Sequence, residues 1–228
     1  MTLKSIATNV HHVGGVGAGV FLIVGDDITI VDTGIPGRSD RILAALREIG
    51  RDPSDVGRIL ITHYHNDHIG NLGPLAEMTE AQVFVPSKEA GVIRDGGKPA
   101  PMTPRGLLGA AFIRTVKLNE LPPHPVHHEV AGGDELDVAG GMKVVDTPGH
   151  TIGHVAYLLV DPGVLFVGDA AANLLRLDVM PVNEDPSTAE KSFRIMAELD
   201  FEAAAIAHGR QITSDAAARF RKTARRFS

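Results

Sequence analysis

Six consecutive residues, His63-Tyr64-His65-Asn66-Asp67-His68, hold three imidazoles and one carboxylate. Residues two apart in an extended backbone point to the same side, so His63 and His65 can chelate one ion. If the chain then turns into a helix near His68, Asp67 and His68 point in another direction and can serve a second ion nearby. A loop of solvated histidines is the alternative, but four such side chains this close together favour metal binding. The motif therefore predicts a paired metal site.

The chain of 228 residues contains eleven His and no Cys. Without cysteine there can be no disulfide, no thiol nucleophile and no thiolate metal ligand. Any metal must therefore be held by imidazole and carboxylate groups.

Three further candidate ligands follow apolar strands at the point where a loop begins. They are His150 in Thr-Pro-Gly-His-Thr, Asp169 in Val-Gly-Asp-Ala, and His208 in Ala-His-Gly. Each alone is weak evidence, because an Asp or His after a strand is usually a turn residue. Strand ends that face one edge of a sandwich bring such loops together. With the first motif, the three residues complete a set of metal ligands.

The hydrophobic pattern predicts the elements that must position these residues. The predicted strands are Val20–Val24, Ile28–Val31, Arg58–Thr62, Gln82–Val85, Met142–Asp146, Val155–Val160, Val164–Val167 and Ala203–Ala207. The predicted helices are Ser39–Ile49, Leu72–Met78, Thr188–Leu199 and one from about Ser214. This order describes an α/β sandwich of two similar halves, which we interpret as a single domain over residues 1–228.

Residues 86–130 lack this regular pattern and hold seven of the 14 prolines, so we interpret them as an insertion over the core. If the insertion contains a helix, four of its residues form an apolar strip that could receive an acyl chain or simply anchor the insertion. They are Leu107, Leu108, Ala111 and Phe112. We expect His124, His127 and His128 in this insertion to be solvated loop residues.

Composition narrows the classes of partner. The formal net charge is −6, and the aromatic residues are eight Phe, two Tyr and no Trp, which argues against a nucleic-acid partner. No apolar run approaches the roughly 18 residues of a membrane helix, and no signal-peptide pattern follows the first residues. We therefore expect a cytoplasmic protein with no membrane partner, and the sequence leaves a homodimer open.

The motif set resembles the metallo-β-lactamase superfamily of hydrolases, from Val31-Asp32-Thr33-Gly34 to His208-Gly209. The resemblance implies an αββα sandwich, two mixed sheets flanked by helices, with a dinuclear site at one edge. It also implies a ligand set in which the first metal is held by His63, His65 and His150, the second by Asp67, His68 and His208, and both by Asp169. Asp32 matches an aspartate that supports a ligand histidine in the family, or it is simply a turn residue.

The resemblance implies a metal-dependent hydrolase with two divalent ions, zinc first, with iron or manganese as alternatives. Two such ions bind a shared water, and a zinc-bound water has a pKa near 7, so a hydroxide can attack a carbonyl. We expect Asp67 to carry the proton to the leaving group. The seven-ligand set is similar to lactonases and small glyoxalase II-like thioesterases, which predicts a small-molecule acyl substrate: a lactone, ester or thioester. His154 is expected to pack or hydrogen-bond beside the site.

The motif set is also compatible with other functions. Iron-dependent persulfide dioxygenases resemble the chain at His63, His65, His150 and Asp169 but do not use the second set of ligands. A β-lactamase or a phosphodiesterase could use the same site, although many true β-lactamases of the family have a cysteine ligand. A binding module that lacks catalysis is disfavoured by the intact ligand set.

Overall fold

A computed structural model of the chain describes residues 3–114 and 119–227. Its helices are α1 (Ser39–Glu48), α2 (Asn66–Ile69), α3 (Leu72–Thr79), α4 (Ala90–Asp95), α5 (Gly106–Phe112), α6 (Pro186–Glu198) and α7 (Ala216–Ala224). The helix α6 is preceded by the N-cap residue Asp185, whose carboxylate accepts the backbone N–H groups of Ser187 and Thr188. This capping and the Pro at the first helical position explain why the helix starts there.

The strands, in chain order, are β1 (Leu3–Ala7), β2 (Val10–Val13), β3 (Val20–Val24), β4 (Ile28–Val31), β5 (Val56–Leu60), β6 (Gln82–Pro86), β7 (Thr103–Pro104), β8 (His128–Val130), β9 (Glu135–Leu136), β10 (Met142–Asp146), β11 (Val155–Leu159), β12 (Val164–Phe166), β13 (Ala172–Asn173), β14 (Leu177–Asp178), β15 (Val182–Asn183) and β16 (Ala203–Ala205). They form two main sheets. The first has the order β1-β2-β3-β4-β5-β6-β8 and the second the order β16-β12-β11-β10-β9. Each sheet is mixed, because β4, β5, β6 and β8 run parallel in the first and β12 and β16 run parallel in the second.

Three apolar clusters hold the layers together. Between the sheets, side chains such as Phe21 and Leu60 of the first pack with Tyr157 and Phe166 of the second. A second cluster joins the first sheet to α1 and α3, and a third joins the second sheet to α6 and α7. The order of layers is therefore helix, sheet, sheet, helix, which confirms the sandwich that the sequence predicts.

The predicted strands and helices agree with the structure to within a few residues. The pattern does not predict β2, α4 or the short strands β7–β9 and β13–β15, and it also does not predict β1. This strand lies at the edge of the first sheet, where only Ile6 of its five residues is buried. An edge strand with one buried residue has no periodic apolar pattern to detect. None of the described helices is long and apolar enough to cross a membrane.

The predicted insertion is shorter than expected. Its last three residues form β8, which pairs in parallel with β6, so they belong to the first sheet rather than lying over the core. Ala90, Ile93 and Leu121 are also part of the core behind this sheet. The insertion does contain the helix α5, in which Leu107 is 92% exposed. The side chains of Leu108 and Phe112 lie outside the described part of the structure.

The prediction that the three insertion histidines are solvated loop residues is confirmed for His127, which is an exposed loop residue, but it is wrong for His124, and His128 belongs to the strand β8. His124 is buried, and Nδ1 of His127 accepts the backbone N–H of Val83 at 2.9 Å. His128 is exposed but stacks on Phe84, with ring centroids 4.4 Å apart. The segment runs beside β6 and α4, because the backbone N–H of His127 donates to the carbonyl oxygen of Val83 and that of His124 donates to the carbonyl oxygen of Ile93. None of these histidines joins a metal-ligand group among the described residues.

Candidate metal centre

All seven predicted ligands lie at one end of the two sheets. His63 and His65 follow β5 in an extended loop, and the chain then turns into α2, which carries Asp67 and His68. The remaining three lie in loops after strands of the second sheet, namely His150 after β10, Asp169 after β12 and His208 after β16. The alternation and turn that the sequence predicts for the first motif are both present.

The first group of ligand atoms, the first trio, belongs to His63, His65 and His150. Nδ1 of His65 lies 3.1 Å from Nε2 of His63 and 2.9 Å from Nε2 of His150. All three side chains are buried. Three imidazole nitrogens therefore converge on one point below the surface.

The second group, the second trio, belongs to Asp67, His68 and His208. Nε2 of His208 lies 3.3 Å from Oδ2 of Asp67, and Nε2 of His68 lies 4.0 Å from the same oxygen. The carboxylate of Asp169 lies between the two trios. Its Oδ1 is 3.3 Å from Nε2 of both His68 and His208, and its Oδ2 is 3.3 Å from Nε2 of His150. One carboxylate thus directs one oxygen to each trio.

These residues fit a pair of divalent cations. Ligand atoms about 2.0–2.1 Å from a tetrahedral zinc lie roughly 3.3 Å from one another, close to most of the spacings seen here. Nε2 of His68, Nε2 of His208 and Oδ1 of Asp169 are buried, and within the described residues they have no hydrogen-bond partner. Buried polar atoms without partners are costly, and a cation between them would satisfy all three.

Asp32 hydrogen-bonds to His68, one of the predicted ligands, as the first of its two sequence interpretations expects. Its Oδ2 accepts Nδ1–H of His68 at 2.7 Å, while its Oδ1 accepts the backbone N–H of Thr62 at 2.8 Å. The Thr62 hydroxyl donates to Oδ2 of Asp32 and lies 3.1 Å from Nδ1 of His63. These contacts leave Nε2 of His63 and of His68 facing the cation positions.

Two further contacts orient the loops of the second sheet. Nδ1 of His150 lies 3.0 Å from the carbonyl oxygen of Val182, which directs its Nε2 toward the first trio. Nε2 of His154 accepts the backbone N–H of Asp169 at 2.9 Å, and its Nδ1 lies 2.8 Å from the Thr147 hydroxyl. His154 therefore hydrogen-bonds beside the site, as predicted.

A glycine precedes each of two ligands for steric reasons. Gly149 has φ of +125°, and a Cβ there would lie 2.2 Å from the backbone nitrogen of Ala189. Gly168 has φ of +49°, and a Cβ there would lie 2.5 Å from Nε2 of His154. Both the backbone conformation and the close approach require glycine.

In the metal-free protein the two trios differ in charge. Burial, reinforced by neighbouring histidines, holds the pKa of His63 well below its usual range and lowers that of His65 to about 3. Burial acts in the same direction on His208, but Asp169 and Asp67 outweigh it and raise its pKa to about 10. Burial also lowers the pKa of His68, but the carboxylates of Asp169, Asp32 and Asp67 outweigh it. They raise the pKa of His68 well above its usual value.

Sequence reasoning missed three residues beneath the site. The sequence assigns no role to Tyr64, although it lies within the first motif, and none to Glu89 or Glu184. In the structure the Tyr64 hydroxyl donates to Oε1 of Glu184 at 2.5 Å, and the Tyr64 backbone N–H donates to Oε2 of Glu89 at 2.7 Å. A lone Glu outside any motif gives no sequence signal of burial, because Glu is mostly exposed.

Residues 13–208 match the family model of the metallo-beta-lactamase superfamily. Because this match covers most of the chain, the chain belongs to the metallo-beta-lactamase superfamily. The family and the fold that the motif set implies are therefore confirmed.

Two relatives are similar to parts of the chain. A hydroxyacylglutathione hydrolase of Methylobacillus flagellatus is 37% identical over 114 residues, which are 49% of this chain and 32% of that protein. A probable metallo-hydrolase of Bacillus subtilis, YqgX, is 27% identical over 177 residues, 76% of each chain. The chain thus spans only about a third of the length of the first relative.

A solved structure shows the same fold. The subclass B3 metallo-beta-lactamase BJP-1 of Bradyrhizobium japonicum superposes with a TM-score of 0.70 at 21% identity, covering 92% of this chain and 78% of that one.

Proposed function

We propose that the chain is a hydrolase that uses two divalent cations to break the bond between the carbonyl carbon and the leaving oxygen or sulfur of a small acyl substrate, a lactone, ester or thioester. Zinc is the first choice of cation, with iron or manganese as alternatives. The observation that carries the proposal is the carboxylate of Asp169, which directs Oδ1 to His68 and His208 and Oδ2 to His150. A site for a single ion has no need for the second trio.

Two bound cations supply a water activated at neutral pH and a Lewis acid for the substrate carbonyl. The chain must then move one proton from that water to the leaving oxygen or sulfur. Asp67 suits this task because its side chain is 38% exposed, compared with 3% for Asp169. A group that meets both the water and the substrate must reach the opening of the site. Oδ2 of Asp67 stays 3.3 Å from Nε2 of His208, which orients the carboxylate.

A groove of about 440 Å³ offers a place for the acyl part of the substrate. The start of α5 forms one wall through Leu107, and residues 172–181 form the other through Leu174 and Leu175. Leu107 and Leu175 are 92% and 90% exposed, although both are large and apolar. Asn173 lies between the lining residues Ala172 and Leu174, and its backbone N–H donates to the carbonyl oxygen of the predicted ligand His208 at 2.9 Å, which connects this wall of the groove to the loop of His208.

The test combines elemental analysis of the purified protein with a panel of lactone, ester, thioester, β-lactam and phosphodiester substrates. We expect two zinc ions per chain and turnover of an acyl substrate. Asp67→Asn should lower kcat by roughly 100-fold to 10,000-fold, the usual contribution of a general acid or base. Asp40→Asn, at an exposed position of α1, is the matched control and should leave kcat unchanged.

Several outcomes would contradict the proposal. One iron per chain together with oxygen uptake would favour the oxygenase. Undiminished turnover after removal of all metal would exclude the mechanism. Preference for a phosphodiester or a β-lactam over every acyl substrate would reject the substrate class while leaving the metal centre in place.

A further inference from the structure

The first trio is assembled from two loops that belong to different sheets. His63 and His65 lie in the loop after β5, and His150 lies between β10 and β11, 85 residues from His65 along the chain. The separation of these imidazoles therefore depends on the contacts that join the two loops.

Glu89 makes such a contact from beneath the site. It lies in the turn between β6 and α4 and is fully buried. Its Oε2 accepts the backbone N–H of Tyr64 at 2.7 Å, and Tyr64 stands between the two ligands of the first loop. Its Oε1 accepts the backbone N–H of Gly153 at 3.0 Å and the hydroxyl of Thr151, the residue that follows His150. One carboxyl group thus binds both loops.

The packing around this carboxyl leaves little freedom. A Cβ on Gly153 would lie 2.5 Å from Cγ of Glu89, so the loop can approach the carboxyl only with glycine there. Burial raises the pKa of Glu89 to about 8, while the hydrogen bonds from Thr151, Tyr64 and Gly153 act to lower it. A buried carboxyl is tolerated only when hydrogen bonds replace water, and Glu89 has three donors.

A second carboxylate joins the same loops nearer the surface. Oε1 of Glu184 accepts the hydroxyl of Tyr64 at 2.5 Å, and Oε2 accepts the backbone N–H of Ile152 at 2.9 Å. Tyr64 is therefore held at both ends, its backbone by Glu89 and its hydroxyl by Glu184. Each of the two glutamates connects the loop of Tyr64 to the loop of residues 150–153.

We infer that Glu89 is a positioning residue, which fixes the separation of His65 and His150 and thereby the affinity of the first trio for its cation. The inference rests on the proposed two-cation site, but it does not depend on which substrate is hydrolysed. Glu89 touches neither the cation positions nor the groove for the substrate. Its effect must pass through the backbone of Tyr64 and Gly153 and the side chain of Thr151.

Glu89→Gln tests this role with almost no change in volume. An amide nitrogen cannot accept a hydrogen bond, so in either orientation it must face the N–H of Tyr64 or that of Gly153. We expect the Zn²⁺ affinity of the first trio to fall by about 10-fold to 100-fold, the usual effect of losing a group that supports metal ligands. The affinity of the second trio should stay within about twofold.

Two backgrounds separate the trios. The affinity is measured by competition with a chelating indicator in His208→Ala, which leaves the first trio intact, and in His65→Ala, which leaves the second. With Co²⁺ in place of Zn²⁺, the visible absorption spectrum of the first trio should also change in Glu89→Gln. A general loss of stability would not produce a change confined to one trio.

Two further variants serve as controls, and a third repeats the test from the side of Thr151. Ile42→Val shortens a buried side chain in the core between α1 and the first sheet, and it should lower the melting temperature without changing either affinity. Thr151→Ser keeps the hydroxyl that binds Glu89 and should preserve the affinity of the first trio, whereas Thr151→Val should lower it.

Equal affinities of wild type and Glu89→Gln at the first trio would overturn the inference alone, since the two-cation site would stand. Equal losses at both trios would overturn it as well, because they would indicate a general structural role. A wild-type protein that binds no Zn²⁺ would overturn both this inference and the proposed function.

Discussion

The two trios lie on either side of Asp169 but differ in composition and charge. The first consists of three imidazoles whose pKa values are lowered by burial and, to a smaller extent, by neighbouring histidines, which favours the neutral form. The second contains a carboxylate, Asp67, and its two imidazoles are held protonated by the carboxylates around them. Neutral imidazole is ready to bind a cation, whereas a protonated imidazole must first release its proton.

Two adjacent cations at these trios therefore need not bind in the same way. A cation at the first trio binds imidazole lone pairs for which no proton competes. A cation at the second trio displaces protons but gains the attraction of Asp67 and Asp169. We therefore expect the occupancy of the second trio to depend more strongly on pH than that of the first.

The largest expected effect comes from removing the group that the trios share. Asp169→Ala leaves each trio with three ligands but removes the carboxylate between them. We expect tightly bound zinc to fall from two ions to one, at the first trio, and turnover to fall by roughly 1,000-fold or more, because the shared water loses its activation. Elemental analysis and steady-state kinetics measure the two quantities, with Asp40→Asn as control. Two tightly bound ions with undiminished turnover would show that the trios are independent of Asp169.

A smaller effect is expected from Asp32, which supports only the second trio directly. Asp32→Asn keeps the size of the side chain, and asparagine tolerates the left-handed backbone at this position, where φ is +56°. It weakens the charged acceptor for Nδ1–H of His68. We expect the Zn²⁺ affinity of the second trio to fall about 10-fold to 100-fold and that of the first to fall less. A larger loss at the first trio would mean that the hydroxyl of Thr62 transmits the effect to His63.

The smallest effect concerns the stability of the metal-free protein. The folded-state pKa of His65 is about 3, below the usual 6.5, so its contribution to the free energy of unfolding is lost as the pH falls below 6.5. The folded-state pKa of His208 is about 10, so its contribution is present below pH 6.5 and is lost as the pH rises toward 10. Each slope is at most about 1.4 kcal/mol per pH unit.

Urea unfolding of chelator-treated protein at several pH values, from about pH 5 to about pH 9, measures both slopes. His65→Gln should flatten the acid side, and His208→Gln should flatten the alkaline side. His128→Gln, on the exposed edge strand β8, should change neither. If both ligand variants flatten the same side, the assignment of charge to the two trios is wrong.

Some of this site could be predicted from the sequence because the information is local. The alternation of His63 and His65, and the turn that carries Asp67 and His68, follow from backbone geometry within one loop. The other three ligands could be predicted as a set only because strand ends at one edge of a sandwich meet. The absence of cysteine decides the chemical type of the ligands without any structure.

The three-dimensional structure alone decided which residues support the ligands. Asp32 could have been a turn residue, and only its 2.7 Å contact with His68 selects between the two interpretations. Glu89 reaches Tyr64 over 25 residues and Gly153 over 64, and no sequence pattern encodes such contacts. The periodicity of apolar residues indicates which face of a single strand or helix is buried in the core. Contacts between side chains of different elements depend on how the layers pack, and that packing is a property of the whole chain.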